Sequence, residues 1–210
     1  MQPVRAQFLF DFGSPNAYFC HRVLPGIASR TGVAFEYVPI LLGGLFKLTN
    51  NRSPVVAFAD IANKRAYDAL EIRRFIARHA LSEFRLNPHF PVNTLLIMRG
   101  AVAARKLGCF EPYVDAVFIC MWEQGLNMAE VEVASAALAS AGLDADAILA
   151  TTKDDDVKSR LMANTLDAND RGAFGTPTFF VGDEIFFGKD RLREVEEEIV
   201  RQLGAAAAAN

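Results

Sequence analysis

One stretch near the start of the chain, Phe8–Tyr18, most constrains how this sequence can fold. It begins with an uninterrupted apolar run, Phe8-Leu9-Phe10, which is typical of a strand that is buried on both faces. It then indicates the start of a helix, because Ser14 suits the N-cap and Pro15 suits the first helical position. The sequence therefore predicts a strand-to-helix turn in which a hydroxyl lies beside unpaired backbone N–H groups. Such a turn stabilises an anion or a thiolate.

The rest of the chain predicts an α/β fold with few strands and many helices. The first helix is predicted to end at Gly32, and the apolar segment 33–42 indicates a second strand. Near the end of the chain, two short apolar runs flank Gly182-Asp183, which predicts a β-hairpin, and a last helix is predicted from Asp190 to about Leu203. Between these parts, the predicted helices cover residues 64–79, 94–107, 112–124, 130–141 and 154–171.

The strands enclose the helical block in chain order, so we predict a thioredoxin-like fold with a large all-helical insertion. The thioredoxin-like domain is predicted to be discontinuous, formed by residues 1–43 and 172–204, and the insertion domain is predicted to cover residues 44–171. Turn-forming residues from Lys47 to Pro54 predict a loop at the start of the insertion. The alanine run Ala205–Ala209 carries no pattern and is left out of both domains.

Composition excludes several classes of function. The 210 residues carry a formal net charge of −3 and no dense cluster of Lys and Arg, which argues against nucleic-acid binding. No apolar run is long enough to predict a transmembrane helix, and the first residues lack the pattern of a signal peptide, so we expect a cytoplasmic protein. The cysteines, Cys20, Cys109 and Cys120, are far apart in helical patterns, so neither a disulfide framework nor a metal site is predicted.

The turn at Ser14 predicts chemistry that depends on an added thiol. In thioredoxin-like oxidoreductases the first helix begins with Cys-x-x-Cys, whereas this chain has Ser14-Pro15-Asn16-Ala17. With no thiol at either end, disulfide exchange at this position is excluded. The Ser14 hydroxyl is a poor nucleophile without a basic partner, and the sequence shows no convincing partner. Two interpretations stay open: a plain helix cap, or a hydrogen-bond donor to the thiolate of a cofactor.

Two further elements could complete a site around Ser14. Pro177 precedes a predicted strand, and in a thioredoxin-like fold a proline there has a cis peptide bond and faces the start of the first helix. The backbone of Thr176 could then pair with a peptide-like ligand, although an ordinary trans proline in a turn is the alternative. Asp190 lies where the last helix begins, and it is interpreted either as a helix cap or as the group that holds the ammonium of a small ligand.

Together these motifs resemble the 2-hydroxychromene-2-carboxylate isomerase family, which is related to kappa-class glutathione transferases and to DsbA-like proteins. The resemblance extends from Phe8 to Leu203. The motifs that carry it are Asp11–Tyr18, Asn51-Arg52-Ser53-Pro54, Lys64-x-x-Tyr67, Phe90-Pro91-Val92-Asn93, Gly172–Thr178 and Phe187–Leu192.

The resemblance implies glutathione as the cofactor. Ser14 would hydrogen-bond the glutathione sulfur and keep it as a thiolate. Thr176 would bind the cysteinyl backbone beside a cis Pro177. Asp190, with Lys189 adjacent, would hold the γ-glutamyl end.

The resemblance also implies which residues meet the substrate. Asn51 and Lys64 would contact glutathione or the carboxylate of a small aromatic 2-oxo or 2-hydroxy acid. Weaker candidates for the wall of the substrate site are Phe12, Asn93 and Trp122, and for Trp122 a packing role is the favoured alternative.

The implied reaction interconverts 2-hydroxychromene-2-carboxylate and trans-o-hydroxybenzylidenepyruvate in aromatic hydrocarbon catabolism. Reversible addition of a thiolate would lower a bond order, allow rotation and regenerate glutathione on elimination. A homodimer is a further expectation from the resemblance. Two alternatives stay open: a kappa-class-like glutathione transferase that releases a conjugate, and a non-catalytic thioredoxin-like binding protein.

Overall fold

The structure of the protein, a computed structural model, describes residues 4–208 and contains a four-stranded mixed sheet. β1 pairs in parallel with β2 and antiparallel with β3, and β3 pairs antiparallel with β4, so the order across the sheet is β2-β1-β3-β4. The predicted strand–helix–strand unit and the predicted hairpin around Gly182 and Asp183 are confirmed. The strands are β1 (Ala6–Phe10), β2 (Phe35–Pro39), β3 (Thr178–Val181) and β4 (Glu184–Phe187).

Helices account for most of the chain. They are α1 (Pro15–Thr31), α2 (Leu42–Leu48), α3 (Pro54–Ala57), α4 (Ala62–His79), α5 (Leu95–Lys106), α6 (Phe110–Trp122), α7 (Val131–Ser140), α8 (Ala145–Thr151), α9 (Asp155–Asp170), a 3₁₀ turn (Lys189–Arg191) and α10 (Leu192–Ala208). Within residues 4–208, no helix combines the length and the apolar character needed to span a membrane. Residues 1–3 of the predicted first segment and the last two residues of the chain lie outside the described residues.

The start of the insertion differs from the prediction. The second strand is shorter than the predicted segment 33–42, and a helix, α2, follows it through Gly43 and Gly44. Leu45 of α2 is fully buried, and Gly44 faces Thr165 of α9, where an added Cβ would lie in ordinary contact 3.5 Å from the threonine methyl group. Packing against α9 therefore outweighs the low helix propensity of the glycines.

Two helical segments were also missed or shortened by the prediction. The sequence pattern did not predict α8, a helix of 7 residues that begins where the Asp144 carboxylate accepts the Ala147 N–H at 2.9 Å. The last helix begins at Leu192, after the 3₁₀ turn, and continues to Ala208 through most of the excluded alanine run. Alanine has the highest helix propensity, so a run of alanines readily extends an existing helix.

Strand β1 lies at the centre of the hydrophobic core, and all 5 of its residues are buried, as the apolar run predicted. Phe8 and Phe10 face one side, where the ring of Phe118 from α6 packs 5.7 Å from that of Phe10. Leu9 faces the other side and packs in a second cluster with Ala168 of α9. Helices of the insertion therefore cover both faces of the sheet. The division into a thioredoxin-like domain and an insertion domain stays a prediction.

Candidate active site

Ser14 connects the first helix to the loop before β3. It is the N-cap of α1, as predicted, and its Oγ accepts the Ala17 N–H at 3.2 Å. The same hydroxyl donates to the Thr176 carbonyl oxygen at 3.0 Å, and both residues are more than nine-tenths buried. Two motifs that lie far apart in the sequence therefore meet at one hydrogen bond. The hydroxyl has a single proton, so it can serve only one acceptor at a time.

The loop that carries Thr176 has the predicted backbone and an unpaired hydroxyl. The Thr176-Pro177 peptide bond is cis, which confirms the prediction. Within residues 4–208, Thr176 Oγ1 is the one buried side-chain nitrogen or oxygen without a hydrogen-bond partner. Buried polar groups are nearly always paired, so an orphan beside Ser14 indicates that a partner atom belongs here. The Pro177 carbonyl oxygen accepts the Gly188 N–H at 2.9 Å, which ties this loop to the 3₁₀ turn.

The turn between β1 and α1 is held by side chains that the sequence analysis assigned elsewhere or missed. Trp122 of α6 donates its indole N–H to the Phe12 carbonyl at 2.8 Å. The Phe12 N–H meets the sulfur of Met98 at 3.4 Å. Phe12 and Trp122 were candidates for the substrate wall, but both are 0 % exposed in the core. The structure thus gives both residues a packing position beneath the turn, with no surface exposed to a substrate.

Asp11, at the end of β1, is the functional candidate that sequence analysis missed. Its carboxylate is 1 % exposed and accepts the backbone N–H groups of Gly13 and Leu42, both at 2.8 Å. Burial raises the pKa of Asp11, and the two backbone hydrogen bonds and one from the Thr94 side chain partly oppose that rise. The available signal was an acidic residue that directly follows a buried apolar strand and precedes the Ser14 turn.

Asn51 lies near the loop that carries Thr176. Its side-chain N–H donates to the Phe174 carbonyl at 2.9 Å, while its side-chain oxygen accepts the Arg52 N–H at 2.8 Å. The structure therefore brings together the motifs of Ser14, Asn51 and Thr176. Asn51 is exposed, so its amide is accessible from solvent.

Lys64 and Asn93 are exposed or partly exposed and have local partners. The Lys64 ammonium pairs with Asp68 one turn further along α4 and lies 5.3 Å from the ring centre of Phe58. Asn93 was predicted to cap the helix that follows, but Thr94 occupies the N-cap position and the Asn93 side chain accepts the Leu95 N–H at 3.1 Å. The predicted cap was therefore displaced by one residue. Among residues 4–208, neither side chain forms a hydrogen bond with Ser14 or Thr176.

Lys189 and Asp190 form an ion pair in the 3₁₀ turn. The Lys189 side chain is 6 % exposed, and its ammonium lies 2.5 Å from an Asp190 carboxylate oxygen and 5.1 Å from the ring centre of Phe75. The Asp190 side chain is 68 % exposed and makes no capping hydrogen bond, so the interpretation as a helix cap is wrong. Gly188 is the N-cap of the 3₁₀ turn, and Asp190 lies inside that turn. Asp190 thus offers a carboxylate next to the loop that carries Pro177.

No activated thiol lies in the described part of the chain. Cys20, on α1, is fully buried, and burial raises the pKa of the thiols of Cys20, Cys109 and Cys120. Two clefts of about 900 and 740 Å³ lie elsewhere, one beside Gly182 and Arg201 and one between α6 and α7, and neither is lined by a predicted site residue. The site at Ser14 is therefore described by its hydrogen-bonding groups.

Comparisons with known proteins agree with these features. A family model described as a DSBA-like thioredoxin domain matches residues 6–200. A 2-hydroxychromene-2-carboxylate isomerase from Sphingobium xenophagum is 27% identical over 195 residues, which cover 92% of this chain and 96% of that protein. One from Pseudomonas sp. (strain C18) is 28% identical over 198 residues, with 93% and 90% covered.

Solved structures give the same result. A 2-hydroxychromene-2-carboxylate isomerase superimposes with a TM-score of 0.81 at 25% identity, covering 98% of each chain. A probable DsbA oxidoreductase from Streptomyces coelicolor has a TM-score of 0.75 at 16% identity, with 96% of this chain and 90% of that chain covered. The second likeness supports the fold alone. The resemblance and the thioredoxin-like fold that the motifs predicted are confirmed.

Proposed function

Because the chain belongs to the DSBA-like thioredoxin domain family and has a serine at the start of α1, we propose that it is a glutathione-dependent isomerase of 2-hydroxychromene-2-carboxylate. The product would be trans-o-hydroxybenzylidenepyruvate. Relatives at 27% and 28% identity that bear the name of this isomerase support the proposal. The observation that carries it is the Ser14 hydroxyl, held at the helix N-terminus 3.0 Å from the Thr176 carbonyl.

The residues around Ser14 fit a peptide-like thiol. The orphaned Thr176 hydroxyl supplies a donor or acceptor that no described residue uses. The N-terminus of α1 favours negative charge, and the Ser14 hydroxyl can donate to it. Asp190 supplies an exposed carboxylate for an ammonium group. When bound, glutathione would supply the thiolate nucleophile that the described part of the chain lacks.

Ser14 would stabilise the thiolate by donating its one O–H hydrogen bond to the sulfur in place of the Thr176 carbonyl. To donate to sulfur, the hydroxyl has to leave the Thr176 carbonyl, its present acceptor. The released carbonyl is then free to accept the N–H of a peptide-like ligand. The hydrogen bond between Ser14 and Thr176 therefore keeps both groups close together and paired until a ligand replaces it.

Exposed polar residues would bind glutathione and the carboxylate of the aromatic substrate. Asp190 would bind the ammonium of the γ-glutamyl end, with Lys189 beneath it fixing the carboxylate. Asn51 would contact glutathione through its exposed amide, because that amide already lies beside the Thr176 loop. Lys64 would bind the carboxylate of the aromatic substrate, which requires it to exchange its pairing with Asp68. A homodimer and a cytoplasmic location belong to the same proposal.

The test compares Ser14→Ala with Ser14→Thr in an isomerisation assay with and without glutathione. Wild-type protein should be active only with glutathione and should leave its concentration unchanged. Ser14→Ala should reduce kcat by about 100-fold, the scale of losing one donor to a developing charge. Ser14→Thr keeps the hydroxyl and the cap, so it should retain most of the activity. Equal activity of wild type and Ser14→Ala would remove the role of Ser14.

The same measurements separate the alternatives. A kappa-class-like transferase would consume glutathione and release a conjugate, which free-thiol titration detects. A non-catalytic binding protein would show no turnover and, if it does not use the thiol site, no glutathione binding by calorimetry. The isomerase alone predicts turnover that requires glutathione without consuming it.

A further inference from the structure

We propose that Asp11 is a positioning residue whose carboxylate fixes the Ser14 turn relative to the segment that carries Asn51. The inference rests on the proposed function, in which Ser14 acts on a sulfur atom. Both carboxylate oxygens are in use: one accepts the Gly13 N–H and the other accepts the Leu42 N–H, each at 2.8 Å. The groups that hold Asp11 are neutral donors, and a buried carboxylate held in this way costs stability. Such a cost indicates a constraint other than stability at this position.

The first contact of Asp11 is with the turn itself. The Asp11 carbonyl accepts the Ser14 N–H at 3.0 Å, while its side chain holds the Gly13 N–H of the same turn. A Cβ on Gly13 would lie 3.1 Å from a Thr94 methyl carbon and 3.3 Å from the Asp11 carboxylate. The turn therefore closes tightly over the carboxylate, and the orientation of Ser14 depends on it.

The second contact of Asp11 is with α2. Leu42 is the first residue of this helix, and its N–H is one of the donors that a helix leaves unpaired at its start. The chain leaves α2 at Thr49, and the Asn51 N–H then donates back to the Phe46 carbonyl at 2.9 Å. The carboxylate thus anchors the helix that places Asn51.

These contacts close a ring. From Asp11 the ring runs through α2 to Asn51, whose side chain donates to the Phe174 carbonyl at 2.9 Å. The Phe174 loop carries Thr176, whose carbonyl accepts the Ser14 hydroxyl at 3.0 Å. The Ser14 N–H completes the ring at the Asp11 carbonyl. Ser14, Asn51 and Thr176, which are the residues expected to bind glutathione near its sulfur, all belong to this ring.

Asp11→Asn opens the ring with the smallest change in shape. The amide keeps one acceptor oxygen but replaces the other with an NH₂ donor, which then faces the N–H of Gly13 or Leu42. The Ser14 turn or α2 has to move away. A misplacement of about 1 Å at a reacting group can reduce turnover 100-fold, so we expect kcat to fall by tenfold or more.

A double-mutant cycle tests whether Asp11 acts through Ser14. Asp11→Asn, Ser14→Ala and the double variant are compared in the glutathione-dependent assay. If Asp11 positions Ser14, Asp11→Asn lowers kcat in the wild-type background but causes little further loss in the Ser14→Ala background. The same fold-loss in both backgrounds, or no loss in either, overturns the inference.

A matched control separates positioning from general destabilisation. Asp144→Ala removes another carboxylate that accepts a backbone N–H, at the start of α8 and outside the site. It should lower the melting temperature without changing kcat. A fall in kcat equal to that of Asp11→Asn would mean that lost stability alone explains the effect, which overturns the inference.

Thr94→Val keeps the inference testable if Asp11→Asn does not fold. Thr94 is the N-cap of α5 but makes no capping hydrogen bond through its side chain, and that side chain helps to lower the pKa of Asp11, so the change removes a polar neighbour of the carboxylate. A smaller loss of kcat, again absent in the Ser14→Ala background, supports the inference, and an unchanged kcat overturns it.

Amide hydrogen exchange gives a readout that does not need turnover. The Gly13 and Leu42 amides should exchange faster in Thr94→Val or Asp11→Asn and should be unchanged in Asp144→Ala. Unchanged exchange in every Asp11-site variant overturns the inference. If wild-type protein shows no glutathione-dependent turnover, the proposed function fails, while these amides still report whether Asp11 holds the turn.

Discussion

Replacing Gly100 with alanine should destabilise the protein, because Tyr113 of α6 packs directly against the backbone of α5 at this glycine. An added Cβ would overlap the Tyr113 hydroxyl and would lie 2.7 Å from its Cζ and 3.3 Å from its Cε2. Tyr113 is 1 % exposed, and its hydroxyl donates to the Ile97 carbonyl at 2.8 Å. The ring is enclosed on all sides, so it cannot yield without losing this hydrogen bond or separating α5 from α6.

The size of the effect follows from three contributions. Leaving a buried hydroxyl or carbonyl unpaired costs about 1–3 kcal/mol. Forcing extra volume into a packed interface costs a further ~1–3 kcal/mol. The better helix propensity of alanine returns about 1 kcal/mol. The expected net loss in the free energy of unfolding is therefore about 3 kcal/mol, which corresponds to a decrease in Tm of roughly 6–12 °C for a chain of this length.

Thermal unfolding followed by circular dichroism measures this decrease, with Gly43→Ala as the matched control. Gly43 is also helical, in α2, but nothing lies within 4 Å of its added Cβ. The control should therefore be as stable as wild type or more stable by about 0.5–1 kcal/mol. If Gly100→Ala unfolds at the wild-type temperature, the packing of Tyr113 against α5 is not as described and the reasoning is refuted.

Three further changes test the site and the charges around it. Trp122→Phe removes the hydrogen-bond donor to the Phe12 carbonyl but keeps an aromatic ring. The free energy of unfolding, measured in urea, should fall by about 1–3 kcal/mol, and kcat should fall with it. Unchanged values would contradict the role of Trp122 in supporting the turn. Asp190→Asn should raise the KM for glutathione by about tenfold, with a smaller effect on kcat, because an exposed charge-assisted hydrogen bond to an ammonium is lost; an unchanged KM would place the γ-glutamyl end elsewhere. The hydrogen bond from His21 holds the pKa of Asp115 below its usual range. The ionised Asp115 therefore stabilises the fold at pH values above the unfolded pKa near 4, and this stabilisation is lost as the pH falls through the lower folded pKa. Asp115→Asn should therefore flatten the change in Tm across this acid range, and a change as steep as in wild type would contradict the assignment.

The sequence predicted the elements whose signals are local. The apolar run of β1, the Ser14 cap, the C-cap at Gly32 and the hairpin turn at Gly182 each depend on residues within a few positions, and all are found in the structure. The cis peptide bond at Pro177 was also predicted, but from the thioredoxin-like order of the elements. Nearby residues were therefore sufficient to predict an element where their preferences agreed with the tertiary fold.

Features that depend on tertiary contacts were not predictable in the same way. α2 forms across two glycines because Leu45 is buried against α9, which no local pattern indicates. The burial of Trp122 beneath the turn is decided by the path of α6, far away in the sequence. The role of Asp11 depends on the Leu42 N–H, which reaches it only because β2 lies next to β1. A residue such as Ser14 can be inferred from its own motif, but the residues that hold it in position come from distant parts of the sequence.

The pairing of β1 has a consequence for how the protein is assembled. The strand that leads to Ser14 has β2 on one edge, but its other edge pairs with β3, where Phe8 lies opposite Phe179. Contacts between such distant parts of a chain form late and slow folding, because a long loop must close first. During synthesis, the site would therefore form only after nearly the whole chain has left the ribosome. Until then the Ser14 strand has one unpaired edge, which can pair with another chain.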